Sequence, residues 1–118
     1  MSYDIAFRVK VEGINYWLEP VGCDANITWN VREIIEKSTG LDWINEADNG
    51  LCIDVIPFIE RGIEELEDYP SKYKPYEAHN GWGTVKGTLR FFRQILSDWE
   101  HFKEHYPELV PLAHFWIY

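Results

Sequence analysis

Val85, Leu89, Phe92, Leu96, Trp99, Phe102 and Tyr106 recur at steps of three and four in the last third of this 118-residue sequence. An α-helix advances about 100° per residue, so this spacing sets all of these large apolar side chains along one stripe. Thr84 stands in front of the stripe as an N-cap and Pro107 stops it, which predicts a helix of about six turns. Such a helix is not stable alone in water, and a second apolar layer has to cover it. The chain is thereby constrained to a layered fold.

The covering layer is legible at the other end. Tyr3, Ile5, Phe7, Val9 and Val11 alternate with Asp4, Ala6, Arg8, Lys10 and Glu12, the period of a half-buried strand. Glu12-Gly13 reads as a turn, and Ile14, Tyr16 and Leu18 alternate again up to Pro20, predicting a hairpin. The tail from Leu112 to Ile117 is strand-like and is expected to join it. Residues 19–30 read as a polar loop. Asn30, with Glu33 three positions on, reads as the capping box of a short helix carrying Val31, Ile34 and Ile35 and ended by Ser38-Thr39-Gly40. Residues 41–50 look irregular, with Trp43 as anchor. Asp54 is expected to cap a further helix, with Pro57 in its first turn and Ile56, Ile59, Ile63 and Leu66 facing inward until Tyr69-Pro70. A long loop is predicted over residues 70–83. The expectation is one α+β domain spanning residues 1–118. Its small antiparallel sheet, the N-terminal hairpin plus the C-terminal strand, packs against two long helices and a short one.

Charge narrows the partners. Twenty acidic residues against eleven basic ones leave a net charge of −9. A nucleic acid is bound by Lys and Arg neutralising phosphates, so direct binding to it is disfavoured. A basic protein surface is the better electrostatic match. Cys23 and Cys52 form no CxxC pair, and no apolar run reaches the roughly 20 residues of a membrane span. The opening residues lead straight into the strand pattern without a signal peptide, which makes Asn26-Ile27-Thr28 a chance glycosylation match. A soluble protein of the cytoplasm is expected.

Little in the chain points to catalysis. His101-Phe102-Lys103-Glu104-His105 has the HxxEH spacing of zinc proteases, but both histidines fall opposite the apolar stripe, and no second segment offers a third ligand. Neither cysteine has a neighbouring His or basic cluster that would favour a thiolate. There is no GxGxxG and no phosphate-binding GxxxxGK[ST] loop. No metal and no cofactor are expected.

Two groups of residues suit binding. Glu60, Glu64, Glu67 and Asp68, with Glu65 nearby, share one sector of the second helix and present a row of negative charge to a basic groove. Trp29 and Asn30, with Asn26 and Thr28, end one polar loop; Tyr76, Asn80 and Trp82 lie in the other, within Tyr76-Glu77-Ala78-His79-Asn80-Gly81-Trp82-Gly83-Thr84. Aromatic faces beside amides and helix starts suit a nucleotide-like ligand. The competing reading of Trp82 is a core plug, and that of the Asn and Thr residues plain turn and cap chemistry.

Tyr3-Asp4-Ile5, Glu19-Pro20 followed by Asn26-Ile27-Thr28-Trp29-Asn30-Val31, and Asn80-Gly81-Trp82-Gly83 resemble a family of small phage- and prophage-encoded proteins without an established activity. Its aromatic position between Thr28 and Asn30 is kept here as Trp29. The resemblance implies a stoichiometric agent against host defence. One version covers a basic effector surface with the acidic face, in the manner of anti-CRISPR proteins and nucleic-acid mimics. The alternative is a sponge that sequesters a nucleotide-like immune signal on Trp29, Asn30, Tyr76, Asn80 and Trp82, and a small hydrolase stands third.

Overall fold

The computed structural model describes residues 1–13 and 16–118 and places the N-terminal alternation at the centre of a four-stranded antiparallel sheet. Strand β1 (Ser2–Lys10) pairs with β2 (Trp17–Leu18), with β3 (Asn26–Thr28) and with β4 (His114–Ile117). Its register sets Tyr3 opposite Ile27, Phe7 opposite Phe115 and Val9 opposite Leu18. Tyr3, Ile5, Phe7 and Val9 are buried on one face, as the period of two requires. The fold is α+β, and β4 joins β1 as expected.

Two readings of the sheet are corrected. Residues 19–30 are not all loop, because Asn26–Thr28 is a strand; three residues are too few for a period to show in the sequence. Among the described residues the return strand of the hairpin is Trp17–Leu18, and Tyr16 and Leu18 are exposed rather than core-facing. Ile14, expected in that strand, lies outside the described residues.

Helix α1 (Arg32–Thr39) follows a 3-10 turn at Trp29–Val31. Val31, not Asn30, holds the N-cap position, and no side chain caps the helix. Val31 is completely buried, and drawing it into the core tightens the entry into a 3-10 turn that contains Asn30. Gly40 ends α1 at φ +80° and donates its N–H to the Glu36 carbonyl, the left-handed stop that glycine permits. Trp43–Ala47 forms a π-helical turn in which Glu36 accepts the Trp43 N–H and Asp42 accepts those of Ile44 and Asn45.

Helix α2 (Cys52–Asp68) begins three residues earlier than predicted. Leu51 takes the cap position, Asp54 sits in the first turn where its charge favours the helix dipole, and Pro57 lies beyond that turn. The predicted loop over 70–83 is also corrected. Pro70–Tyr73 makes helix α3 and Lys74–Tyr76 a 3-10 turn, since Pro70 opens a helix as readily as Tyr69 ends the previous one. Helix α4 (Val85–His105) is capped as expected, with Thr84 Oγ1 accepting the Gly87 N–H at 2.9 Å.

The stripe on α4 is real but rotated slightly. Val85, Thr88, Phe91, Phe92, Ile95, Trp99 and Phe102 are buried, whereas Leu89, Leu96 and Tyr106 lie at its margin. Phe7 meets Trp99 and Phe102 edge-on, fastening α4 to the sheet. Trp43 is fully buried with Tyr3, Phe91 and Phe115 each tilted edge-on to it. Its Nε1–H has no hydrogen-bond partner among the described residues. Among the described residues no helix is long and apolar enough to cross a membrane.

Candidate functional site

The loop before α4 is held by its own short-range bonds. Asn80 Oδ1 accepts the Trp82 N–H at 3.0 Å, Ala78 donates its N–H to the Gly83 carbonyl, and Gly81 donates to Ala78. Gly81 and Gly83 have φ of +76° and +116°, which side chains rarely allow. Glu77 fastens the loop to the helix by accepting the Val85 N–H at 2.8 Å. The consequence is a Trp82 ring 69% exposed, so it is a surface residue and not a core plug.

The same loop touches the 3-10 turn that follows β3. A Cβ on Gly83 would lie 3.1 Å from Asn30 Cβ and 3.0 Å from Val31 Cγ1, so the two polar loops meet at this glycine. Asn30 and Asn80 are exposed. Trp29, about half exposed, lies against Tyr3 and donates Nε1–H to the Ser2 carbonyl at 2.8 Å. The Tyr76 ring is half-buried under the Lys37 ammonium at 5.2 Å. Asn30 is thus beside the second loop, while Trp29 is anchored to β1 and Tyr76 to α1. Beside β3 opens a cavity of about 310 Å³ that α4 completes; it gathers Asn26, Arg90 and Gln94.

Glu60, Glu64, Glu67 and Asp68 are all exposed on α2, as their spacing predicts. Their surroundings differ. Glu67 pairs with Arg93 of α4, whereas Glu60, Glu64 and Asp68 form no ion pair among the described residues. Glu60 stands with Glu100 at the rim of a 280 Å³ groove whose wall includes Ile53, Pro57, Leu96 and Trp99. Glu65, half-buried, instead accepts the Tyr73 hydroxyl at 2.9 Å. Burial, and next that carboxylate, push the Tyr73 phenol up to about 12.

The histidines of the HxxEH pattern are exposed, with ring centroids 4.1 Å apart. His105 Nδ1 lies 3.0 Å from the His101 carbonyl oxygen, a local helical contact. Among the described residues no group of three or more His, Cys, Asp or Glu is arranged around a metal position. Cys52 is fully buried, and Cys23 Sγ donates to Asp98 Oδ2 at 3.1 Å. Burial holds both thiols well above the ordinary range, away from the reactive thiolate.

One surface escaped the sequence reading. On the sheet face away from the helices, Trp17 packs on His114 and Trp116, with centroids 4.9 and 5.3 Å away, and the Arg8 guanidinium lies over Trp116 and Tyr118. Glu19 pairs with Arg8 at 2.7 Å. The signal was the alternation of β4 itself: Ala113, Phe115 and Ile117 are buried, and His114, Trp116 and Tyr118 are their outward neighbours.

No family model matches this chain, and no curated protein or solved structure is found to be similar to it.

Proposed function

We propose that this protein is a non-catalytic binder that covers a basic surface of a protein partner with the acidic side of α2. The observation that carries this reading is the placing of Glu60 at the rim of an apolar groove between α2 and α4, with the Glu100–Lys103 ion pair on the α4 side and Glu64 exposed one turn further along α2. An unpaired carboxylate beside an apolar floor, with further acidic residues along the same helix, is complementary to a basic amphipathic segment. In the phage setting that the sequence motifs suggest, the partner is a host defence effector whose basic groove otherwise holds nucleic acid. The test is protection of infecting phage in cells that carry such an effector, together with effector binding at increasing salt. Wild type is expected to protect and to bind less tightly as salt rises. Glu60→Lys/Glu64→Lys, melting normally, is expected to lose both. Equal protection by that variant removes α2 from the interface.

A second reading rests on Trp82, whose exposed ring is presented by a self-bonded loop next to Asn30. Such a ring suits stacking with a base, and a nucleotide signal sequestered there would depend on it. Calorimetric titration with a panel of cyclic nucleotides tests this. Trp82→Ala is expected to weaken binding by roughly 1–3 kcal/mol while leaving the fold intact, because the ring contributes little to the core. If no nucleotide binds the wild type, the sponge reading fails and the acidic-face reading is untouched.

A further inference from the structure

The α2–α4 seam has a second groove, toward the C-terminus of α2, whose charge is opposite to that of the first. It measures about 470 Å³, within the usual range of small-molecule sites, and its apolar lining is Leu66, Pro70, Val85 and Leu89. Two carboxylates border it, and both are engaged: Glu67 with Arg93, and Glu77 with the Val85 N–H at the start of α4. Two exposed lysines also border it, Lys74 from the 3-10 turn after α3 and Lys86 from the first turn of α4. Neither lysine forms an ion pair among the described residues. With Glu67 and Arg93 paired and Glu77 set against the two lysines, this apolar-lined groove carries a net positive charge in a chain whose own net charge is −9.

We infer that this groove binds an amphipathic anion, with its apolar body on Leu66, Pro70 and Leu89 and its anionic head between Lys74 and Lys86. An apolar surface binds a hydrocarbon or ring without selecting its charge, while the ammonium groups attract an anion and repel a cation. The lining side chains are aliphatic or charged and include no aromatic ring on which a base could stack. The ligand class is accordingly a fatty or aromatic carboxylate, or a comparable monoester, and not a nucleotide. This site lies beyond the acidic face proposed above and does not depend on it.

Calorimetric titration of the whole protein with decanoate, kept below its micelle concentration, tests the inference. Decanol, acetate, decyltrimethylammonium and adenosine monophosphate serve as comparison ligands. Decanoate is expected to bind with one site and to exceed decanol and the cation in affinity by roughly tenfold, the effect of two partly exposed ion pairs. Lys74→Gln/Lys86→Gln, both at exposed positions, is expected to lose that tenfold preference without a change in melting temperature. Leu89→Glu, which sets a like charge in the groove, is expected to abolish binding; should it melt early, the lysine variant alone decides. Absence of decanoate binding, equal binding of decanol, an unchanged affinity in the lysine variant, or tighter binding of adenosine monophosphate would overturn the inference. Glu60→Lys/Glu64→Lys is expected to keep decanoate binding, so loss of the acidic-face reading and loss of this one give different results.

Discussion

A single hydrogen atom at Gly62 sets how closely three helices approach. A Cβ there would sit 2.7 Å from Phe92 Cε2 of α4 and 2.9 Å from Thr39 Cγ2 of α1, both inside contact distance. Phe92 and Thr39 are fully buried, so neither has room to swing aside. Alanine is worth up to about 1 kcal/mol more than glycine in a helix, but overpacking a core costs about 1–3 kcal/mol. Gly62→Ala is therefore expected to lower stability in a denaturant titration, against the propensity rule. A variant as stable as wild type would show that the interface relaxes. The role of this glycine was hidden in the sequence, where it is one unmarked position in the α2 pattern. Trp82 was equally ambiguous there, because a Trp between two glycines fits a plug or a platform; the Asn80 and Glu77 hydrogen bonds determine which.

At the scale of elements, α3 shows how a short helix persists. Four residues cannot pay the entropy of nucleation by themselves, so tertiary contacts must hold them. Tyr73 supplies these: its ring is 2% exposed and its hydroxyl donates to Glu65 of α2. The folded protein holds the neutral phenol, with a pKa raised from 10.0 to about 12. The folded value lies above the unfolded one, so this contribution is complete below pH 10 and fades as pH rises through about 12. Alkaline melting curves are expected to show a loss of stability in that window that is smaller in Tyr73→Phe. The same slope in both proteins would assign the alkaline loss to other groups. Long elements were legible because α4 and β1 repeat their period many times. The 3-10 entry to α1, the three residues of β3 and the α3 turn were not, since each is shorter than its period needs. Of the candidate site, the acidic row on α2 was legible because its spacing alone puts it on one side of a helix. Its division, with Glu67 tied to Arg93 and Glu60 beside a groove, depends on where α4 lies.

At the scale of the whole molecule, Phe92 lies where the layers close, fully buried on α4 against Gly62 of α2 and Phe91. Truncating it to alanine is expected to cost about 3–5 kcal/mol and to lower the melting temperature by on the order of 10 °C or more. Phe92→Ala melting with the wild type would contradict the packing of α4. The sequence by itself determined the class of the fold, because a period of two and a period of three to four each leave one apolar face, and two such faces have to cover one another. It also determined the net charge of −9. Only the tertiary structure decided the rest. Which of two neighbouring α4 residues goes deeper, which carboxylates remain unpaired, and where two grooves of opposite charge open along one seam all depend on distances between side chains far apart in the chain. Local periodicity carries the direction in which a side chain points, and it holds no information about what stands opposite.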